Sequence, residues 1–110
     1  MHDKVIIRIG TDAEKQKLLN DYPNIKNVVR DGGYFIVAQI EDTIVGYLWG
    51  FKRKIPAPVE QDEIFINIIE VIYTNLRCQG MASSMLQKII EIAKEEKVYQ
   101  VRAYCDIGNV

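Results

Sequence analysis

The first apolar run of the chain is short and ends at a helix start signal. Residues 5–9 are rich in β-branched side chains and are closed by Gly10, which predicts a strand. Thr11 is the predicted N-cap residue of a helix that runs through Leu18-Leu19. Pro23 breaks that helix, and a second short helical piece is expected before Gly33.

The next pattern is that of a β-hairpin. Residues 34–40 and 44–51 are both β-branched and aromatic, and the polar turn 41–43 separates them. Tyr47, which alternates with other aromatic residues of the second run, is interpreted as a core side chain. Residues 52–63, with two prolines and a change from basic to acidic side chains, are interpreted as a solvated loop.

The second half of the chain has the pattern strand, helix, strand. Residues 64–73 are apolar on both faces, which predicts a strand in the middle of a sheet. Residues 81–97 repeat apolar positions at helical spacing, and residues 101–105 predict a strand parallel to the first. The expected fold is an α/β domain, residues 1–110, with a mixed twisted sheet and helices on both faces.

Composition narrows the class of protein. With 110 residues and 48% apolar content the chain is one domain with one modest core. A net charge of -1 gives no field that would attract nucleic acid or an anionic membrane, and the basic cluster at residues 52–54 is too small for such a role. Two cysteines predict neither a disulfide framework nor a metal site. Without an apolar run of spanning length, a cytoplasmic location is expected.

The candidate chemistry lies in the loop Arg77-Cys78-Gln79-Gly80-Met81-Ala82-Ser83-Ser84. It joins an apolar strand to a helix N-terminus, whose unpaired N–H groups and dipole favour an anion such as phosphate. Gly80 would let the backbone approach a ligand closely. The loop lacks the motifs that bind nucleoside triphosphates or dinucleotides. The alternative is that the loop is only a tight turn that binds no ligand. For Ser83 and Ser84, capping of the helix is rated equal to hydrogen bonding to the anion.

This loop resembles the acetyl-CoA signature of the GNAT superfamily of N-acetyltransferases, Gln/Arg-x-x-Gly-x-Gly/Ala. The segment 44–47 is similar to the family's third strand, 101–105 to its fifth, and Asn109 to the asparagine that opens its last conserved motif. The resemblance implies acetyl-CoA as co-substrate, with two parallel strands parting to admit it. It assigns cofactor binding to Ile72, Tyr73, Arg77, Cys78, Gln79, Gly80, Met81, Ala82, Ser83, Ser84 and Asn109.

Glu70 is the candidate catalytic residue. It interrupts an apolar strand, where burial of an unpaired carboxylate is costly and raises the pKa of the group. In GNAT-like proteins a glutamate on this strand removes the proton of the acceptor amine. The alternative, rated as even, is a Glu70 side chain turned to solvent at a strand bulge or paired with a basic residue.

The resemblance also implies a C-terminally truncated domain, because the family continues beyond the position of Asn109 to a tyrosine that acts as general acid. The strand edge at 101–105 would then seek a partner, which predicts a homodimer. The function implied is acetyl transfer to a primary amine, of a small molecule or a peptide, by direct attack in a ternary complex. The alternative function is a non-catalytic acyl-CoA-binding or regulatory module.

Overall fold

The chain forms a mixed sheet with helices on both faces. The computed structural model describes residues 5–23, 33–72 and 80–103. In chain order their elements are β1 Val5–Ile9, α1 Asp12–Asp21, β2 Tyr34–Ile40, β3 Thr43–Lys54, β4 Asp62–Val71, α2 Met81–Glu95 and β5 Gln100–Ala103. The strands lie in the order β1-β2-β3-β4-β5. The first three pairings are antiparallel, and β4 and β5 are parallel.

Each helix covers its own face of the sheet, because neighbouring residues of a strand point to opposite faces. The apolar stripe of α2 packs on alternate strand residues, and the buried members of this cluster include Ile36, Ala38, Leu48, Ile64, Ile66, Met85 and Ile89. The helix α1 packs through Leu18 on the other face, against Phe35, Val37, Tyr47 and Trp49. The predicted fold class is thus confirmed.

A β-bulge in β4 changes which side chains each face receives. Gly50 of β3 pairs with Ile66, but the preceding residue of β3 pairs with Ile68, so Asn67 is an extra residue in β4. An extra residue moves all later side chains to the opposite face. Glu70 therefore lies on the α1 face, opposite Tyr47 in the register.

Two expectations about this region are wrong. The predicted loop 52–63 is shorter than expected, because β3 extends to residue 54 and β4 begins at residue 62. Cross-strand ion pairing extends the ladder: Arg53 Nε lies 2.6 Å from Glu63 Oε2, and these two residues are register partners. The second concerns the middle of the sheet. The strand predicted to lie there is β4, but in the described sheet the middle strand is β3, and β4 lies between β3 and β5.

A buried carboxylate fixes β5 beside β4. Glu63 is 2% exposed, and its carboxylate accepts hydrogen bonds from Gln100 at 2.7 Å and from Arg53. These donors lower the pKa of Glu63, the Gln100 hydrogen bond being the largest cause. The described pairing of β5 covers residues 63–66 of β4. Residues 104 and 105 lie outside the described residues, and the homodimer through the edge 101–105 stays a prediction.

The start of α1 is tied to the sheet by an arginine. Arg8 of β1 donates to both carboxylate oxygens of Glu14, at 2.8 and 2.6 Å, and to Gln39 of β2. Glu14 also completes a capping box with Thr11. The Arg8 hydrogen bond is the largest of the causes that lower the pKa of Glu14 to about 2. One side chain thus joins the helix cap to two strands.

We expect Glu14→Gln to destabilise the fold by roughly 1 kcal/mol at neutral pH, because the charged hydrogen bonds to Arg8 are weakened. The folded-state pKa is depressed, so this contribution is present above about pH 4.5 and is lost as the pH falls towards about 2. Urea unfolding at several pH values should show the variant and the parent protein converging over that range. Glu91→Gln, on the exposed side of α2, is the control, and a constant difference between Glu14→Gln and the parent down to pH 2 would contradict the assignment.

Candidate functional site

The helix α2 begins after a glycine, which has no side chain with which to cap it. Gly80 is the N-cap residue, with φ 79° in the left-handed region that favours glycine. Among the described residues, no atom lies within 4 Å of the position that a Cβ of residue 80 would take. The first intrahelical bond joins Ser84 N to Gly80 O at 2.9 Å. The N–H groups of residues 81–83 precede this bond and have no partner within the helix, an arrangement that favours an anion such as phosphate.

The side chains of this turn point in two directions. Met81 and Ala82 are buried against the sheet, so a ligand would meet only their backbone. Ser83 and Ser84 are exposed. The capping alternative for these two serines is wrong, because Gly80 occupies the N-cap position. The predicted cofactor residues Tyr73, Arg77, Cys78, Gln79 and Asn109 lie outside the described residues.

Ile72 uses its amide within the sheet. Its N–H donates to Val45 O of β3 at 2.8 Å, so this group is used within the sheet. Cofactor binding by Ile72 stays a prediction. The Ile72 side chain packs on the α1 face.

A cavity of about 410 Å³ lies between α1 and the sheet at the end where β4 finishes. Its apolar wall is formed by Leu18, Phe35, Val37, Ile44 and Ile72. Tyr22, Thr43 and the charged residues Glu14, Lys17, Asp21 and Asp42 complete the described lining. Lys17 pairs with Asp21 at 3.2 Å, and Glu14 pairs with Arg8, which lies outside the lining. The three carboxylates of the lining are thus balanced by two cations, which leaves one net negative charge to favour a cationic ligand.

Glu70 and Tyr47 form a hydrogen-bonded pair one register position from the strand end. The Tyr47 hydroxyl donates to Glu70 Oε2 at 3.2 Å. Tyr47 is 2% exposed, whereas Glu70 is exposed. The expectation that Glu70 is a buried carboxylate is therefore wrong, and its exposure agrees with the alternative of a side chain turned to solvent near a strand bulge. Its role as a base stays a prediction.

Sequence reasoning missed the role of Tyr47 as a donor. It interpreted Tyr47 as a core residue, and the ring is in the core, packed in the α1-side cluster. Burial is the largest cause that raises the pKa of Tyr47, and the charge of Glu70 adds to it. The hydroxyl is therefore protonated and is a hydrogen-bond donor at neutral pH.

The described ranges contain neither a cluster of metal ligands nor a helix that could span a membrane. Across residues 5–23, 33–72 and 80–103, no group of three or more His, Cys, Asp or Glu side chains is arranged to hold a metal ion. Neither of the helices described there is long and apolar enough to cross a membrane. The basic residues Lys52 and Arg53 form ion pairs with Glu96 and Glu63.

Solved structures share this fold at low sequence identity. An aminoglycoside acetyltransferase from an uncultured soil metagenomic sample is 17% identical, with a TM-score of 0.75 over 96% of this chain and 82% of its own. A GNAT family acetyltransferase of Staphylococcus aureus is 16% identical, with a TM-score of 0.72 over 96% and 89%. A ribosomal-protein-alanine N-acetyltransferase of Brucella melitensis is 17% identical, with a TM-score of 0.73 over 96% and 82%.

No curated protein matches the chain significantly. The family model described as "Acetyltransferase (GNAT) family" matches residues 7–110. Since this match covers most of the chain, the protein belongs to the GNAT acetyltransferase family.

Proposed function

We propose that the protein transfers an acetyl group from acetyl-CoA to a primary amine, by direct attack of the amine in a ternary complex. The observation that carries the proposal is the position of Glu70, an exposed carboxylate that accepts a hydrogen bond from Tyr47 on the α1 face of the sheet. Glu70 is not itself among the residues that line the cavity beside α1, but Ile72, two residues further along the chain, lines it. A carboxylate on this face would accept the proton of an amine bound there.

The cofactor site is proposed at the N-terminus of α2. Acetyl-CoA supplies the acetyl thioester and a pyrophosphate anion. The amides of Met81, Ala82 and Ser83 would donate to the pyrophosphate, and the helix dipole would add to its attraction. Gly80 would permit close contact, since the direction of its missing Cβ is open. Support comes from family membership and from the absence of a competing cap at this turn.

The acceptor site is proposed in the cavity beside α1. Its volume of about 410 Å³ suits a small amine or the first residues of a peptide. The acidic lining, to which Asp42 of the β2–β3 turn contributes, favours an ammonium group. Glu70 then removes one proton from this ammonium group, and the free nitrogen attacks the thioester carbon. A C–N bond forms, the C–S bond breaks, and the thiolate of CoA leaves and takes up the second proton that the nitrogen gives up. Relatives in fold include enzymes named for aminoglycosides and for ribosomal-protein alanine, and both kinds of acceptor carry primary amines.

Acetyl-CoA should raise the thermal stability of the protein in a concentration-dependent way, by about 2.7 kcal/mol at a hundredfold excess over its dissociation constant. Adenosine, which has no pyrophosphate, should give a much smaller shift. Differential scanning fluorimetry with both compounds measures the difference. Equal shifts with adenosine and acetyl-CoA would show that the pyrophosphate is not what is bound.

Gly80→Val should abolish the acetyl-CoA shift, because a branched side chain at the N-cap blocks approach to the amides. The substitution also strains a left-handed backbone, so a matched control is needed. Lys97→Val introduces the same side chain at φ 57°, at the opposite end of α2. Both variants should melt below the parent protein, but only Gly80→Val should lose the ligand-induced shift, and a retained shift in Gly80→Val would refute the proposed site.

Glu70→Gln should lower kcat by about 100-fold with nearly unchanged affinity for acetyl-CoA, because the amide cannot accept the proton. The loss should shrink at high pH, where more of the acceptor amine is already neutral. The release of CoA thiol is measured with a chromogenic disulfide, using an aminoglycoside and an alanine-terminated peptide as acceptors. Glu91→Gln is the control, and an unaltered pH–rate profile in Glu70→Gln would leave Glu70 with a structural role only.

A further inference from the structure

We propose that Tyr47 is a positioning residue for Glu70: its hydroxyl holds the carboxylate in one orientation beside the α1-side cavity. The inference rests on the proposed function, in which Glu70 takes the proton of the acceptor amine. It assigns to Tyr47, on the neighbouring strand, a part in the removal of that proton.

The first support is geometric. Tyr47 and Glu70 are direct partners in the β3–β4 register, and side chains of opposed residues are close enough to interact. The hydroxyl donates to Glu70 Oε2 at 3.2 Å. This pairing exists only because Asn67 is an extra residue, since without the bulge Glu70 would face α2.

The second support is the difference in burial within the pair. The Tyr47 ring is enclosed, 2% exposed, and packs in one cluster with Val37 and Trp49. Enclosure fixes the ring, so the hydroxyl has a defined position. Glu70 is exposed, and fixing an exposed side chain in one rotamer costs conformational entropy. A hydrogen bond from a fixed hydroxyl restricts the orientations that the Glu70 carboxylate can take.

The third support is the protonation state of the phenol. Burial, then the charge of Glu70, then the hydrogen bond to it raise the pKa of Tyr47, and Tyr22 at the end of α1 adds a smaller effect. The phenol is thus a donor throughout the neutral range. A hydrogen bond donated to a carboxylate favours its charged form, which is the form that can accept a proton.

Tyr47→Phe tests the inference, because it removes the hydroxyl and keeps the buried ring. We expect kcat to fall by about tenfold or more, with the dissociation constant of acetyl-CoA unchanged. The KM for the acceptor amine should change less than kcat, because the lost hydroxyl orients the base and is not part of the cavity lining.

Tyr34→Phe is a matched control. The Tyr34 hydroxyl donates to Glu96 Oε1 at 2.6 Å, and Tyr34 packs against the cluster on the α2 side of the sheet. This variant also removes one tyrosine–glutamate hydrogen bond, so it reproduces the general cost of such a change. It should leave kcat as it is in the parent protein.

A double-mutant cycle separates this inference from the proposed function. If Tyr47 acts through Glu70, the double variant Tyr47→Phe/Glu70→Gln should be as slow as Glu70→Gln alone, within about twofold. A slow Glu70→Gln together with a Tyr47→Phe variant as fast as the parent protein would overturn the role of Tyr47 and leave the role of Glu70 intact. A parent-like rate for Glu70→Gln would instead overturn the proposed base.

Discussion

The second half of β4 depends on one extra residue. Asn67 changes the register against β3, and each later side chain of β4 lies on the face opposite to the one it would otherwise occupy. Ile69 and Val71 consequently pack with α2, where apolar contact is available, and Glu70 is directed away from it. A bulge costs ladder regularity, but here it keeps a carboxylate out of the main core and places it beside Tyr47.

The same end of the sheet carries both halves of the proposed site. The residues that follow β4 lead to Gly80 and the first turn of α2, while Ile72 lines the cavity on the α1 face. The two proposed binding regions therefore lie on opposite sides of one strand end. In the proposed reaction the two ligands would meet there from different directions without either blocking the other, as direct transfer between them requires.

The strands and helices were predictable from the sequence because their patterns are strong. The period of α2 and the cap at Thr11 identified both helices, and the hairpin followed from its polar turn. The position of the bulge at Asn67 was not predictable. A run that is apolar on both faces has no alternation of apolar and polar residues, so nothing in it marks the point at which the side chains change face. The Tyr47–Glu70 hydrogen bond depends on this change, because it places Glu70 on the same face as Tyr47. The extension of β3 and β4 was missed because ion pairs, not apolar residues, stabilise their far ends.

Membership of the GNAT acetyltransferase family does not determine an acceptor. Two structures that are each 17% identical to this chain share its fold and carry the names of different acceptors, so the residues that distinguish acceptors must lie outside the shared framework. In this chain the apolar wall of the cavity belongs to the shared framework, because it is the surface between α1 and the sheet. The charged residues around the cavity do not belong to it. Arg8 neutralises Glu14 and Lys17 neutralises Asp21, whereas Asp42 stands on the β2–β3 turn, where substitutions are tolerated by the fold. The charge of that turn is therefore the part of the site in which acceptor preference is most easily changed without loss of the sheet.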